Sequence, residues 1–201
     1  TVAGAVATSA ASRTSRTWRP SCRKHATLLV TVLLTAPFYI CINYSEWYID
    51  EMFAIVRNPD VLSKTPLRNL WVDDFWGQYL WPAAGAWTHK SYRPLAILSF
   101  RLQLALQNSV SMQAGPLRAA NCAIHSFNAL LLHLLVKSFR LHWFWTLLSA
   151  ALFAVHPVHL ENLPYLVGRA DSMATTFLLL GALWRRAWRR RCARGLCAHL
   201  G

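Results

Sequence analysis

The chain alternates long runs without a formal charge and stretches that carry its charge. Residues 26–45 form the first run, 20 positions with no Lys, Arg, Asp or Glu. At about 1.5 Å per residue, a helix of that length crosses a hydrocarbon core of ~30 Å. Pro37 predicts a kink, which neighbouring helices tolerate. Residues 119–136 (18 positions) and 141–160 predict a second and third span, and residues 172–184 a shorter fourth of 13 positions. Between the first two runs lies a long segment, 46–118, punctuated by Pro59, Pro66, Pro82 and Pro94. Within it residues 95–106 are apolar with Arg101 inside, a pattern that predicts an amphipathic helix lying in the membrane interface.

The charges between the runs give a topology. Residues 1–25 contain no acid and carry Arg13, Arg16, Arg19, Arg23 and Lys24. Such a composition also fits a mitochondrial transit peptide, but an apolar run follows at once, so a cytosolic tail before a first span is expected. By the positive-inside rule the long segment then faces the lumen. Lys137 and Arg140 return to the cytosolic side, residues 156–171 form a second lumenal loop, and the arginines of 185–201 make a basic cytosolic tail. Four spans with alternating charge agree on one orientation. The expected fold class is an all-α membrane protein with a long first lumenal loop.

Composition narrows the classes further. Of 201 residues 55% are hydrophobic, ten are Trp and 14% are charged, with a net charge of +13. A basic chain raises nucleic-acid binding, yet the cations flank apolar runs and form no continuous stripe. The five cysteines have no spacing of a disulfide framework or a zinc site. A transporter would place ionisable groups at mid-membrane, whereas the predicted spans hold only His and Asn there, and polar residues such as His125, Asn128 and His133 usually join helices by hydrogen bonds.

Six of the eight carboxylates lie between Ser45 and Trp76. Asp50 and Glu51 follow the first span directly. Adjacent helical residues point about 100° apart, so one can face a site while the other meets water or a backbone donor. As a general base, a carboxylate takes the proton of an attacking hydroxyl; the alternative is a helix cap. Asp74, in the run Asp73-Asp74-Phe75-Trp76-Gly77, is a second acid, with loop capping as its alternative. Lys90 and Arg93 present cations able to hold a phosphate, or to snorkel to lipid headgroups. His156, His159 and Glu161 have an H-x-x-H-x-E spacing, but Pro157 breaks the helical reading; hydrogen bonding to a donor headgroup or to the acidic loop is expected there, and no metal. Arg169 and Asp171 are expected to pair at the interface.

In order and with similar spacings, the blocks Asp50-Glu51, Asn58-Pro59-Asp60, Thr65-Pro66-Leu67, Asp74-Phe75-Trp76-Gly77, His89-Lys90-Ser91-Tyr92-Arg93-Pro94, His156-Pro157-Val158-His159, Glu161 and Gly168-Arg169-Ala170-Asp171 resemble the transmembrane and tetratricopeptide-repeat-containing O-mannosyltransferases. The resemblance runs from about Tyr48 to Asp171. It implies the N-terminal membrane part of a multispan GT-C type glycosyltransferase of the endoplasmic reticulum. Such enzymes transfer mannose from dolichyl phosphate mannose to Ser or Thr hydroxyls of cadherin-like proteins. It implies Asp50 as the base, with Glu51 where the family shows a second Asp, and Arg93 and Lys90 as partners of the leaving phosphate. Asp74, His156, His159, Glu161 and Arg169 are expected to bind substrate, and no cofactor is expected beyond the lipid-linked donor. The later helices and the repeats have no counterpart, so the segment is expected to be inactive alone. The alternative is a non-catalytic membrane scaffold that binds a partner protein through its lumenal loop.

Overall fold

A computed structural model describes residues 46–83, 88–107 and 112–199. The basic tail expected at 1–25 and the first span expected at 26–45 lie outside the described residues. The described residues are helical and contain no strand, only an isolated bridge between Asp73 and Tyr79.

Two long apolar helices frame the structure. Helix α3 covers Ala114–Lys137, 24 residues, roughly 36 Å at 1.5 Å per residue. Helix α6 covers Arg169–His199, 31 residues. Both are long and apolar enough to cross a membrane. The apolar run of only 13 residues at 172–184 is thus part of a much longer helix. Arg is a good helix former, so the basic cluster ends the apolar stretch without ending the helix. The run at 141–160 behaves differently. Helix α4 is Trp143–Val155; His156 is extended (φ −68, ψ 129) and Pro157 starts the short helix α5, Pro157–Leu160. A residue before proline is steered away from helical backbone, and this breaks the run in two.

Helix α3 packs against both α4 and α6. Its polar residues make the joins. His125 Nε2 lies 3.0 Å from the Ala154 carbonyl on α4. Asn128 Nδ2 donates to the Ser172 carbonyl at 2.8 Å and its Oδ1 accepts from Thr176 at 2.6 Å, both on α6. Farther along, Arg186 donates to the Ser138 carbonyl and stacks on Phe139, so α6 runs parallel to α3. Lys137, Arg140, Arg186 and Arg190 gather at one end of the bundle, opposite the acidic loop.

That loop forms a cap over the starts of α3 and α6. Helix α1, Ile49–Glu51, runs on into a π-helical turn, Met52–Val56. A 3-10 turn follows at Leu67–Trp71, and α2 is Pro94–Gln107. Ala54, Ile55, Leu70, Phe75, Ile97, Phe100, Leu117 and Leu166 make its shared core. Asn58 ties the cap together: its Nδ2 donates to the carbonyls of Ala54 and Phe75, both at 3.0 Å, while its Oδ1 accepts the Asp60 amide at 2.8 Å. Helix α2 buries Ala96, Ile97 and Phe100 but also exposes Leu95, Leu102 and Leu106, so both its faces are apolar, unlike the amphipathic helix expected at 95–106. Arg101 turns inward from it and donates to the carbonyls of Asp60 (3.3 Å) and Thr65 (2.9 Å).

Candidate functional site

The two neighbouring acids of α1 have opposite environments. Glu51 is wholly buried. Its Oε2 lies 3.1 Å from Arg118 Nη2 and accepts the Tyr48 amide at 3.2 Å, while Oε1 accepts the Leu166 amide at 2.7 Å. Arg118, equally buried, also donates to the carbonyls of Pro164 (2.8 Å) and Glu46 (2.6 Å). Burial of an ion is tolerated only when such partners replace its water. Glu51 was expected beside Asp50 as a catalytic acid. With both oxygens taken and no exposure, it holds the first loop to α3 and to the second loop instead.

Asp50 stays at the surface. Its Oδ2 accepts the Tyr165 hydroxyl at 2.5 Å, and the edge of the Tyr165 ring meets Tyr48 with centroids 5.8 Å apart. The Tyr165 phenol is pushed up to about 12, first by burial, then by its bond to Asp50 and the charges of Asp50 and Glu51; Arg93 opposes this. Arg93 is therefore within electrostatic reach of the Asp50–Tyr165 pair. It is half-buried, with its guanidinium 5.2 Å from the centre of the Phe75 ring and Nη1 3.4 Å from the Val167 carbonyl. Asp50, Tyr165 and Arg93 come from three separate segments, and the Glu51–Arg118 pair anchors the backbone beside the first two.

Asp74 is a loop cap. Its Oδ1 accepts the amides of Trp76 (2.8 Å) and Gln78 (3.0 Å), and its Oδ2 accepts the Thr88 hydroxyl at 2.8 Å. Only 2% of it is exposed, and these bonds are those of the capping alternative. Lys90 is exposed, with φ 54, and its amide donates to Thr88 Oγ1 at 3.2 Å.

The second loop divides likewise. His156 caps α5, its Nδ1 accepting the Val158 amide at 3.3 Å. His159 stacks on Phe153 at 4.3 Å, with His125 6.3 Å away. Burial lowers the pKa of His159, and the neighbouring His156 adds to the effect. Glu161 is exposed. Among the described residues no three His, Cys, Asp or Glu side chains converge as a metal site would require. Arg169, expected to bind substrate and to pair with Asp171, is buried and makes no ion pair with Asp171. Nε donates to Asn121 Oδ1 and Nη2 to the Leu117 carbonyl, both at 2.7 Å, and the guanidinium sits 3.9 Å above the Phe100 ring. Asp171 is exposed. A guanidinium satisfied by neutral acceptors and an aromatic face needs no carboxylate.

Sequence reasoning passed over Tyr165 and Arg118. Tyr165 stands between two motif blocks and belongs to neither. Arg118 reads as the boundary of an uncharged run, and nothing local tells that it turns back into the cap.

Asp50 is thus an acid presented on a loop layer over two long apolar helices. Comparison with known proteins supplies the family. Protein O-mannosyl-transferase TMTC1 of Mus musculus is 39% identical over 171 residues, 82% of this chain and 17% of its own length. Protein O-mannosyl-transferase TMTC4 of Homo sapiens is 39% identical over 151 residues, 69% of this chain and 20% of its own length. For Protein O-mannosyl-transferase TMTC2 of Mus musculus the identity is 32% over 181 residues, 85% and 21%. The chain belongs to this TMTC family, and it spans about a fifth of the length of the curated relatives it matches. No protein-family model and no solved structure matches it.

Proposed function

We propose that this chain is the N-terminal membrane part of a protein O-mannosyltransferase of the endoplasmic reticulum and that Asp50 is its general base. The observation that carries the reading is the division of the acid pair. Glu51 is consumed by the fold, and its neighbour is held at the surface on the same loop. The names of the relatives support the reaction class. The two long helices support a membrane setting, here read as two of four spans of a GT-C type enzyme with both acidic loops in the lumen.

In this reading Asp50 accepts the proton of a Ser or Thr hydroxyl on a cadherin-like acceptor. The hydroxyl oxygen bonds to the anomeric carbon of mannose. The bond from that carbon to the phosphate oxygen breaks, and dolichyl phosphate leaves with the electron pair. Arg93, with Lys90 on the loop before it, meets the charge of the departing phosphate. Positioning and preset electrostatics supply most of the rate.

The test is transfer from labelled dolichyl phosphate mannose to a cadherin-domain acceptor in microsomes holding the full-length protein. Asp50→Asn abolishes transfer while expression stays normal. Unchanged transfer by Asp50→Asn overturns the assignment. No transfer by either protein, with a known mannosyltransferase active in the same assay, favours the scaffold instead.

A further inference from the structure

Tyr165 lies 115 residues downstream of Asp50, in the loop between α5 and α6, and is nonetheless placed on it within hydrogen-bonding distance. Its position is set from both sides. The carbonyl of the preceding residue, Pro164, accepts from Arg118 Nε at 2.8 Å. The amide of the following residue, Leu166, donates to Glu51 Oε1 at 2.7 Å. One buried ion pair thus fixes the residue before and the residue after Tyr165, and also the residue after Asp50. The Tyr48 ring supports the phenol from the side.

An exposed aspartate turns about two side-chain bonds, and a base works only with an oxygen held about 2.6–3.2 Å from the proton it takes. Within the described residues a hydrogen bond reaches Oδ2 of Asp50 and none reaches Oδ1. We propose that Tyr165 is a positioning residue for mannosyl transfer, its hydroxyl holding Asp50 by Oδ2 so that Oδ1 is presented to the acceptor hydroxyl. This rests on the reading that Asp50 is the base. The phenol remains a donor across neutral pH, because burial, the bond to Asp50 and the charges of Asp50 and Glu51 push its titration up to about 12 against the pull of Arg93. Arg118 also faces this corner, 5.7 Å from the centre of the Tyr48 ring.

The test compares Tyr165→Phe, Tyr165→His and Asp50→Asn in the full-length protein, assayed in microsomes for kcat and for the KM of donor and acceptor. Phe keeps the ring against Tyr48 and removes only the donor, whereas His restores a ring N–H. Loss of positioning lowers kcat about ten- to a hundredfold with both KM values within about twofold of wild type, and His recovers part of the lost rate. A Tyr165→Phe kcat within about twofold of wild type overturns the proposal. So does equal loss in Phe and His, or loss traced only to lower protein yield, since each marks packing and not donation. Asp50→Asn separates the two readings. If it is inactive while Tyr165→Phe is fully active, only the role of Tyr165 falls. If it retains full transfer, the base assignment falls and the role of Tyr165 falls with it.

Discussion

Glu51 Oε2 and Arg118 Nη2 lie 3.1 Å apart with neither side chain exposed, and this contact fastens the first loop to the opening turns of α3. Removing one member leaves the other charged, buried and unpaired, which costs about 3–5 kcal/mol. Glu51→Gln and Arg118→Met are each expected to lower the unfolding midpoint of the detergent-solubilised chain strongly. Asp50→Asn, one residue away but exposed, is expected to change stability by no more than about 0.5 kcal/mol. Equal thermal shifts for Asp50→Asn and Glu51→Gln would contradict the division of the acid pair.

Gly77 is fixed by both backbone and space. Its φ is +75, and a Cβ there would meet Asn58 Oδ1 at 2.7 Å and Pro59 Cδ at 2.8 Å. Left-handed backbone alone costs a residue with a Cβ roughly 1 kcal/mol. The clash falls on Asn58, whose side chain also bonds Ala54 and Phe75. Gly77→Ala is expected to destabilise the cap by about 2 kcal/mol or more, read as earlier proteolysis of the first loop in a trypsin time course. A digestion rate equal to wild type would show that the loop moves aside without loss.

Asn128 joins α3 to α6 through Ser172 and Thr176. Hydrogen bonds between membrane helices are worth about 0.6–1.7 kcal/mol each. Asn128→Leu, close in size but without polar atoms, is expected to lower stability by about 1–2 kcal/mol, measured by unfolding in mixed micelles. Thr176→Val in the same background is expected to add little, because its hydroxyl would then have lost its partner on α3. Full additivity would show that the two side chains act apart.

His159 gives the chain a dependence on acid. Its folded pKa lies below 6.5, chiefly through burial and then through the charge of His156. The unfolded state therefore takes up the proton first as pH falls. The stability that His159 contributes is complete above about pH 6.5 and is lost as pH drops through the lower folded value. The unfolding midpoint is expected to fall between about pH 7.5 and about pH 5. His159→Phe, which keeps the ring on Phe153, is expected to shrink that fall. An identical pH response in the variant would move the effect to another group.

The helices were legible because periodic apolar content and charge placement act locally. The span at 119–136 and the short helix at Pro94 can be read from consecutive residues, whereas the run at 141–160, read as one span, is broken at Pro157. The extension of α6 past Trp184 was not legible, since a basic sequence looks like a tail whether or not its backbone stays helical. Asp50 and Glu51 were given the same catalytic role, and adjacent positions on a helix do not say which of the two stays at the surface. Glu51 was expected to be catalytic and Asp74 and Arg169 to bind substrate; all three side chains are engaged in holding the fold together, which no local pattern announces.

Sequence alone determined that this is a helical chain with apolar runs of membrane length, most of its acids collected in one segment, and a series of motifs that places it in its family. These depend on the order of residues along a few turns. Which charged groups are consumed inside and which are left outside was decided by tertiary structure. Glu51 meets Arg118 across 67 positions and Asp50 meets Tyr165 across 115. A buried charge is stable only where distant segments bring enough donors and acceptors to replace its water, and only the packed cap brings those segments together.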